Sequence, residues 1–274
     1  MEVAYLGPIG SFSYRAVKLA FPDAKLTPVA TLVDVIEAYE EGRVDLALVP
    51  IENSIEGPVN LTIDQLFHQS SAHVVAEIVL PIVQNLLVVD AKRAPEKIFS
   101  HPQALAQTRE YLSEHFPQAS SVPVASTALA AEIVQQHPTL AYAAVANLDA
   151  ADFYGLVPLA KGIQDVAQNN TRFWVLGEKQ PHIALPSTAQ KVTLALTLPE
   201  NLPGALHKAI STFAWRGIDM TKIESRPLKT VLGQYFFIID LVSNDNIKYA
   251  CKEMESLGIT VRNLGKYCIY EGEK

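Results

Sequence analysis

From residue 3 to residue 176 the chain alternates short apolar runs with helix-period patterns, and after residue 190 that rhythm gives way to another. Strand and helix signals in strict alternation demand a mostly parallel sheet flanked by helices, because parallel neighbours must be joined by a crossover. Strands are expected at 3–6, 44–50, 74–79, 86–89, 97–99, 140–142 and 173–176. Helices are expected over 11–21, 31–41 and 61–68, from Pro102, from Ser126-Thr127 to 136, and over the small-residue run 143–151. Residues 178–190, with Pro181, Pro186 and the pair Ser187-Thr188, have the composition of a linker. Beyond it, 192–198, 218–225, 235–242 and 260–270 read as strands, with helices over 203–215 and 246–257. That βαββαβ order, over roughly 80 residues, is the ferredoxin-like split plan. The expected class is therefore α/β, with domains over 1–178 and 191–274.

Composition narrows the function. A chain of 274 residues with 49% hydrophobic and 19% charged residues has ample material for packed cores. A net charge of −7 argues against nucleic acid or an anionic membrane as the main partner, while leaving room for a local anion site. Cys251 and Cys268 form no CxxC and read as free thiols. No His/Cys cluster has zinc-ligand spacing, so no metal is expected. Gly7-Pro8-Ile9-Gly10 is too short for either nucleotide-binding glycine motif, so no cofactor is expected. The N-terminus has no basic stretch, and no apolar run approaches the roughly 20 residues that span a bilayer, which reads as cytoplasmic.

Five segments place Gly, Ser, Thr or Asn between a strand and a helix or at a strand edge. They are Gly7-Pro8-Ile9-Gly10-Ser11-Phe12-Ser13, Glu52-Asn53-Ser54, Ser100-His101-Pro102-Gln103, Ser126-Thr127-Ala128 and Asn170-Thr171-Arg172. Open parallel sheets bind ligands beyond the carboxyl ends of their strands, where helix N–H groups favour anions. Singly, each Ser or Thr reads as an ordinary N-cap; together they read as a polar cleft for a small anion. The stretch from Asn169 to Arg172 is the most telling, since two amides, a hydroxyl and a guanidinium open a strand built for burial. Arg172 is the only fixed cation in the five segments, hence the expected carboxylate clamp or, equally, one half of a surface pair. Glu52 follows a buried run and could carry a raised pKa as an acid or base, or simply hold Asn53. His101 reads as a general acid or a cap. Near the C-terminus, Gly204-Ala205-Leu206 opens a helix, and Glu224-Ser225-Arg226-Pro227 puts both charge signs at a strand end, a set that suits an amino-acid zwitterion.

In this order the motifs resemble those of monofunctional prephenate dehydratases along essentially the whole chain. The matching segments are the five above, with Val49-Pro50-Ile51 before Glu52, Ala104-Leu105-Ala106-Gln107 after Gln103, and Phe173 after Arg172. The C-terminal pair of segments is similar to the phenylalanine-binding parts of that family's ACT domain. The resemblance implies a catalytic region like periplasmic binding proteins, with a second subdomain over about 80–156. It implies conversion of prephenate to phenylpyruvate, water and carbon dioxide, with no cofactor, in L-phenylalanine biosynthesis under feedback by L-phenylalanine. It gives Thr171 the critical hydroxyl and links Glu52, Asn53, Ser100 and Gln107 to substrate or catalysis. With the cleft segments, it makes Gly10, Ser11, Ser54, His101, Gln103, Ser126, Thr127, Arg172 and Phe173 expected substrate contacts. Gly204, Ala205, Leu206, Glu224, Ser225, Arg226 and Pro227 are the expected effector contacts, across a dimer or a dimer of dimers. Two positions depart from the pattern: His207 stands where an apolar residue is usual, and Ser11 replaces the commoner threonine. The rival expectation is a non-catalytic amino-acid sensor or solute-binding protein. Removing everything beyond Pro186 is expected to leave an active, phenylalanine-insensitive enzyme.

Overall fold

The computed structural model describes residues 1–199, 202–229 and 233–272. The last two positions of the expected second domain, 273 and 274, lie outside the described residues. The chain first lays down β1 Glu2–Leu6, α1 Phe12–Ala20, β2 Lys25–Val29, α2 Leu32–Glu40, β3 Leu46–Asn53, β4 Gly57–Pro58, α3 Asn60–Gln69 and β5 His73–Pro81. It then builds β6 Asn85–Val88, β7 Lys97–Ser100, α4 Pro102–Ala106, α5 Arg109–His115, β8 Ser120–Pro123, α6 Thr127–Gln136, β9 Tyr142–Ala146, α7 Leu148–Tyr154 and β10 Val157–Lys161. It ends with β11 Asn170–Gly177, β12 Ser187–Thr197, α8 Ala205–Ala214, β13 Met220–Pro227, β14 Tyr235–Val242, α9 Ile247–Ser256 and β15 Thr260–Glu271.

Two mixed sheets result. The smaller runs β10-β6-β9-β7-β8 and forms a second lobe; the chain leaves the first sheet after β5 and returns to it with β11. The larger runs β13-β14-β12-β15-β5-β11-β3-β1-β2, with β4 added to β3. The C-terminal strands thus continue the first lobe's sheet, joined where β15 lies parallel to β5 with Cys268 opposite Ala76 and Tyr270 opposite Ile78. The expected second domain is thus packed edge to edge against the first lobe, and truncation at Pro186 would bare the edge of β5 from Ala76 to Val79.

Two smaller expectations also change. Residues 143–146 belong to β9, not to a helix, because β7 on one side and β6 on the other pair with them. Only after Asn147, which caps α7 by accepting from the Ala150 N–H at 2.8 Å, does the small-residue run become helical. The proline-containing segment is a linker only to Pro186, since Ser187 already pairs with Tyr270.

The large sheet is not flat. Lys222 of β13 reaches the carboxylate of Glu52 on β3 at 3.1 Å, although the two strands stand six positions apart in the sheet. At about 4.8 Å per strand a flat sheet would hold them roughly 29 Å apart, so the sheet rolls and closes one face on itself. Inside the roll, Val49, Ile51, Trp174, Phe236, Ile238 and Tyr267 pack with α2 and α3 in one cluster. The Phe67 ring of α3 stacks on Phe236 of β14 with centroids 3.6 Å apart. The opposite face of the C-terminal strands is covered by α8 and α9 through Ala209, Phe213 and Met254.

The join between β15 and β5 depends on Gly265. A Cβ there would lie 2.1 Å from the Val74 carbonyl oxygen, a backbone atom with no rotamer in which to retreat. We expect Gly265→Ala to lower stability by about 1–3 kcal/mol or more, the scale of overpacking at an unyielding site. Thermal unfolding checks this, with an unchanged midpoint as the contrary result.

Candidate active site

The cleft between the lobes has a volume of about 580 Å³ and is lined by parts of both. Ser11, Asn53, His101, Gln103, Gln107, Ser126, Thr127 and Thr171, all expected from sequence, lie on its wall. A larger hollow of about 930 Å³, between 39–46, 71–73 and 177–181, carries none of the expected residues.

Alternation along β11 sorts its side chains. Thr171 faces the cleft and Phe173 packs behind it with Tyr5, Val17 and Ile78, while Arg172 and Trp174 point into the roll of the sheet. On β3 the same sorting needs a bulge. Arg172 pairs with Glu52 but Phe173 pairs with Pro50, leaving Ile51 as the extra residue. A bulge reverses the parity of the strand beyond it. Ile51 and Glu52 therefore both face the roll, and Asn53 turns to the cleft beside Thr171.

The hydrogen bonds of Asn53 leave one solution for the Thr171 hydroxyl. Asn53 Oδ1 accepts from the backbone N–H groups of Ile55 and Glu56 at 3.0 and 3.1 Å, which can only donate. Its amide nitrogen is thereby turned toward Thr171 Oγ1 at 3.0 Å and Asn169 Oδ1 at 2.7 Å. Thr171 Oγ1 is an acceptor in that bond, so its own proton is left for whatever occupies the cleft. The same polarity runs on: Asn169 donates to Gln107 Oε1 at 3.0 Å, and Gln107 donates to Glu56 Oε1 at 3.2 Å. Backbone donors close the chain at one end and a carboxylate at the other.

Two helix ends face the cleft and can favour an anion there. Ser11 caps α1 by accepting from the Tyr14 N–H at 3.1 Å, and Ser126 caps α6 by accepting from the Leu129 N–H at 3.0 Å. Each cap leaves first-turn N–H groups and the positive end of a helix at the cleft, one from each lobe. His101 accepts from the Gln103 N–H through Nδ1 at 3.3 Å, which leaves Nε2 to carry its proton. Among the described residues lining the cleft there is no Lys or Arg, and the carboxylate there is Glu56.

Several expected contacts lie elsewhere. Arg172 is no cleft clamp: it binds Glu52 at 2.6 Å, Glu77 at 2.6 Å and Asp240 at 2.7 Å. Burial opposes its charge, but Glu77 and Asp240 outweigh that and hold its pKa above the ordinary range. Glu52 shares this buried set. Burial pushes its pKa up, yet Lys222 and Arg172 overcome it and hold the carboxyl below its ordinary value, the reverse of the raised pKa expected. Ser100 is fully buried and donates to the Val145 carbonyl at 2.6 Å, tying β7 to β9. Ser54 bonds the backbone of Asn170 at 3.0 Å and serves the strand edge. Gly10, at φ 84°, lets the lobes touch: an added Cβ would meet Ala150 at 3.2 Å, and its carbonyl accepts from Asn147 at 2.9 Å. Sequence reading missed Glu56, two residues past its motif, and gave Asn169 no site role although it named the residue.

At the C-terminal segments, Gly204 begins α8 in a left-handed conformation at φ 71°. β13 divides its residues by face. Ser225 and Pro227 are exposed, whereas Glu224 pairs with Lys222 at 3.1 Å and Arg226 with Asp64 of α3 at 3.0 Å. Glu224 and Arg226 are thus engaged toward the first lobe, not toward Gly204, Ala205 and Leu206.

Residues 3–181 match the family described as prephenate dehydratase. The chain belongs to the prephenate dehydratase family. Over 274 aligned residues it is 59% identical to a prephenate dehydratase of Lactococcus lactis, covering 98% of each chain. It is 41% identical to that of Bacillus subtilis, covering 99% of this chain and 100% of the other. Among solved structures it is similar to the Arthrobacter aurescens prephenate dehydratase in complex with L-Phe, with a TM-score of 0.85, 32% identity, and 97% and 89% of the two chains covered. As a member of this family the chain is a prephenate dehydratase, a lyase that converts prephenate to phenylpyruvate. Among the described residues no helix is long and apolar enough to cross a membrane.

The lobes of the cleft are tied behind it by Asp149 of α7, which binds Arg15 at 2.8 Å and Lys18 at 2.9 Å on α1. Burial raises its pKa, but Lys18 and Arg15 overcome that and hold it below its ordinary value. A carboxylate depressed in the folded state stabilises above its unfolded pKa, roughly 4, and loses that contribution as pH falls through the folded value. The difference in unfolding free energy between wild type and Asp149→Asn should therefore be constant from pH 7 to about 5 and shrink below about 4. Denaturant titrations across that range check it; a gap that persists at low pH contradicts it.

Proposed function

We propose that prephenate lies in this cleft with its carboxylates at the ends of α1 and α6 and its ring hydroxyl against Thr171. The observation that carries this reading is the orientation of Asn53, which leaves the Thr171 proton free to donate into the cleft. In the reaction the bond from the ring to its carboxylate breaks and releases carbon dioxide. The electron pair enters the ring, and the C–O bond at the far ring carbon breaks with hydroxide as leaving group. Aromaticity drives the step, so the enzyme must hold two anionic groups and stabilise the departing oxygen. A hydrogen bond from Thr171 Oγ to that oxygen does this in the transition state, where the charge develops. Hydroxide then takes a proton and leaves as water. A threonine hydroxyl is too weak an acid to be the final source. Glu52, half-buried on the opposite face and bound to Arg172 and Lys222, is poorly placed for that role. Glu56 and His101 are the ionisable groups on the wall, and Glu56 connects to Thr171 through Gln107, Asn169 and Asn53. A cleft with neutral donors and no fixed cation binds the dianion without quenching the negative charge that must leave the ring.

Thr171→Ala should lower kcat about 10²-fold or more with a much smaller change in KM. Asn53→Asp should lower kcat to a similar degree, because a carboxylate would accept the Thr171 proton instead of donating to its oxygen. Phenylpyruvate formation measures both, and wild-type turnover in either variant would refute the assignment.

We further propose that β12 to β15 with α8 and α9 form a regulatory ACT domain of ferredoxin-like plan, and that the two catalytic lobes follow the periplasmic-binding-protein arrangement. The strand order β13-β14-β12-β15, the exposed Ser225 and the left-handed Gly204 at the start of α8 support this reading. L-Phenylalanine binds with its carboxylate at the start of α8 and requires a second copy of the chain to complete the site. A ligand shifts an equilibrium only by its differential affinity for two states, and coupling is reciprocal. Phenylalanine should therefore inhibit turnover, and an unreactive dicarboxylate analogue of prephenate should weaken phenylalanine binding. Calorimetric titration with and without the analogue tests this; equal affinities would refute the coupling.

A further inference from the structure

We infer that the ionic cluster around Arg172 positions the Asn53–Thr171 pair, and that Lys222 and Asp240 of the C-terminal strands are positioning residues for the reaction. The inference rests on the reading that Thr171 donates to the leaving oxygen. The cluster joins three cations, Arg172, Lys191 and Lys222, to four carboxylates, Glu52, Glu77, Asp240 and Glu224. Glu77 and Asp240 are almost wholly buried, and each has further partners: Trp174 Nε1 donates to Glu77 at 3.2 Å, and Thr193 donates to Asp240 at 2.7 Å. Stability alone is a poor reason for so many charges in a core, since apolar side chains of similar volume commonly serve as well.

The placement supplies a better reason. Asp240 grips Arg172, the residue next to Thr171, and Lys222 grips Glu52, the residue next to Asn53. Each member of the reacting pair is thus held from behind through one peptide link, a distance fixed by covalent geometry. Both grips come from the C-terminal strands, across the roll of the sheet. Arg172 also bonds Glu52 directly, so the two strands are locked to each other on the face opposite the Asn53–Thr171 hydrogen bond. Displacement of the C-terminal strands by an ångström would move Thr171 relative to the substrate while leaving the helix ends that bind its carboxylates in place. The effect belongs in kcat rather than KM, and an ångström of misplacement is enough for about 10²-fold.

The test compares Lys222→Met, Lys222→Arg, Glu52→Gln and the Lys222→Met/Glu52→Gln double variant for kcat, KM and thermal midpoint. We expect Lys222→Met to lose about 10-fold or more in kcat with KM within about 3-fold, and Lys222→Arg, which keeps the charge, to restore most of it. The double variant should be no slower than the worse single one, because both reach Asn53 through the Lys222–Glu52 contact. Wild-type kcat in Lys222→Met, or losses that simply multiply in the double variant, would overturn the inference. So would a fall in thermal midpoint with kcat unchanged, the signature of a purely structural cluster. Should Lys222→Met not fold, Lys222→Gln takes its place under the same expectations, and Asp240→Glu reports on the second grip. If Thr171→Ala itself keeps full turnover, the underlying reading of Thr171 fails instead, so the two failures are distinct.

Discussion

The guanidinium of Arg172, enclosed by Glu52, Glu77 and Asp240, is the interaction on which the rest of the architecture depends. Glu52 and Glu77 come from β3 and β5, which flank β11, but Asp240 comes from β14, four positions away from β11 in the sheet. Buried charges of one sign cannot be left alone, because removing a partner from such a set costs several kcal/mol. The roll of the sheet and the neutralisation of its interior therefore require each other. Once β13 and β14 are drawn over β3 and β11, the apolar face of α3 meets Phe236, and the helices α8 and α9 are left to cover the outer face.

The cleft solves the opposite electrostatic problem. Its substrate is a dianion, yet the fixed cations of this neighbourhood are spent on internal carboxylates. On the proposed placement, attraction is left to the ends of α1 and α6, whose first-turn N–H groups are strong donors but only partial charges. Such groups hold carboxylates without the tight ion pairing that would oppose loss of carbon dioxide. The polarised chain from Glu56 to Thr171 adds direction rather than charge. Each amide in it has one permitted orientation, so the hydroxyl at its end is prepared before substrate arrives.

Much of this was legible in the residues. The strand–helix alternation, the βαββαβ order and the caps Ser11, Ser126 and His101 follow from local rules, and those caps do stand on the cleft wall. What local rules could not supply was the side of the strand. Thr171 and Arg172 are neighbours in one motif, and period-2 alternation sends them to opposite faces. A reader of the motif alone gives both to the ligand. Glu52 and Asn53 are worse, because the register shift at Ile51 leaves no trace in composition. The continuity of β15 with β5 was hidden for a related reason: Pro181 and Pro186 mark a break in the chain, and a sheet can heal across such a break with strands distant in sequence. Glu56 and Asn169 escaped because their importance lies in the polarity of a network, which no single residue type announces.

The extra residue at Ile51 makes the site a matter of counting. Upstream of it β3 points its odd and even residues one way, and downstream the other, so two incompatible surfaces are threaded on one strand. Run regularly at its present length, without the bulge, the strand would keep every motif residue and every hydrophobic run, yet deliver Glu52 to the cleft and Asn53 to the ionic interior. A neutral amide would then sit among unbalanced charges, while a carboxylate would face a dianion. The bulge at Ile51 is thus as much a part of the candidate site as the side chains it sorts.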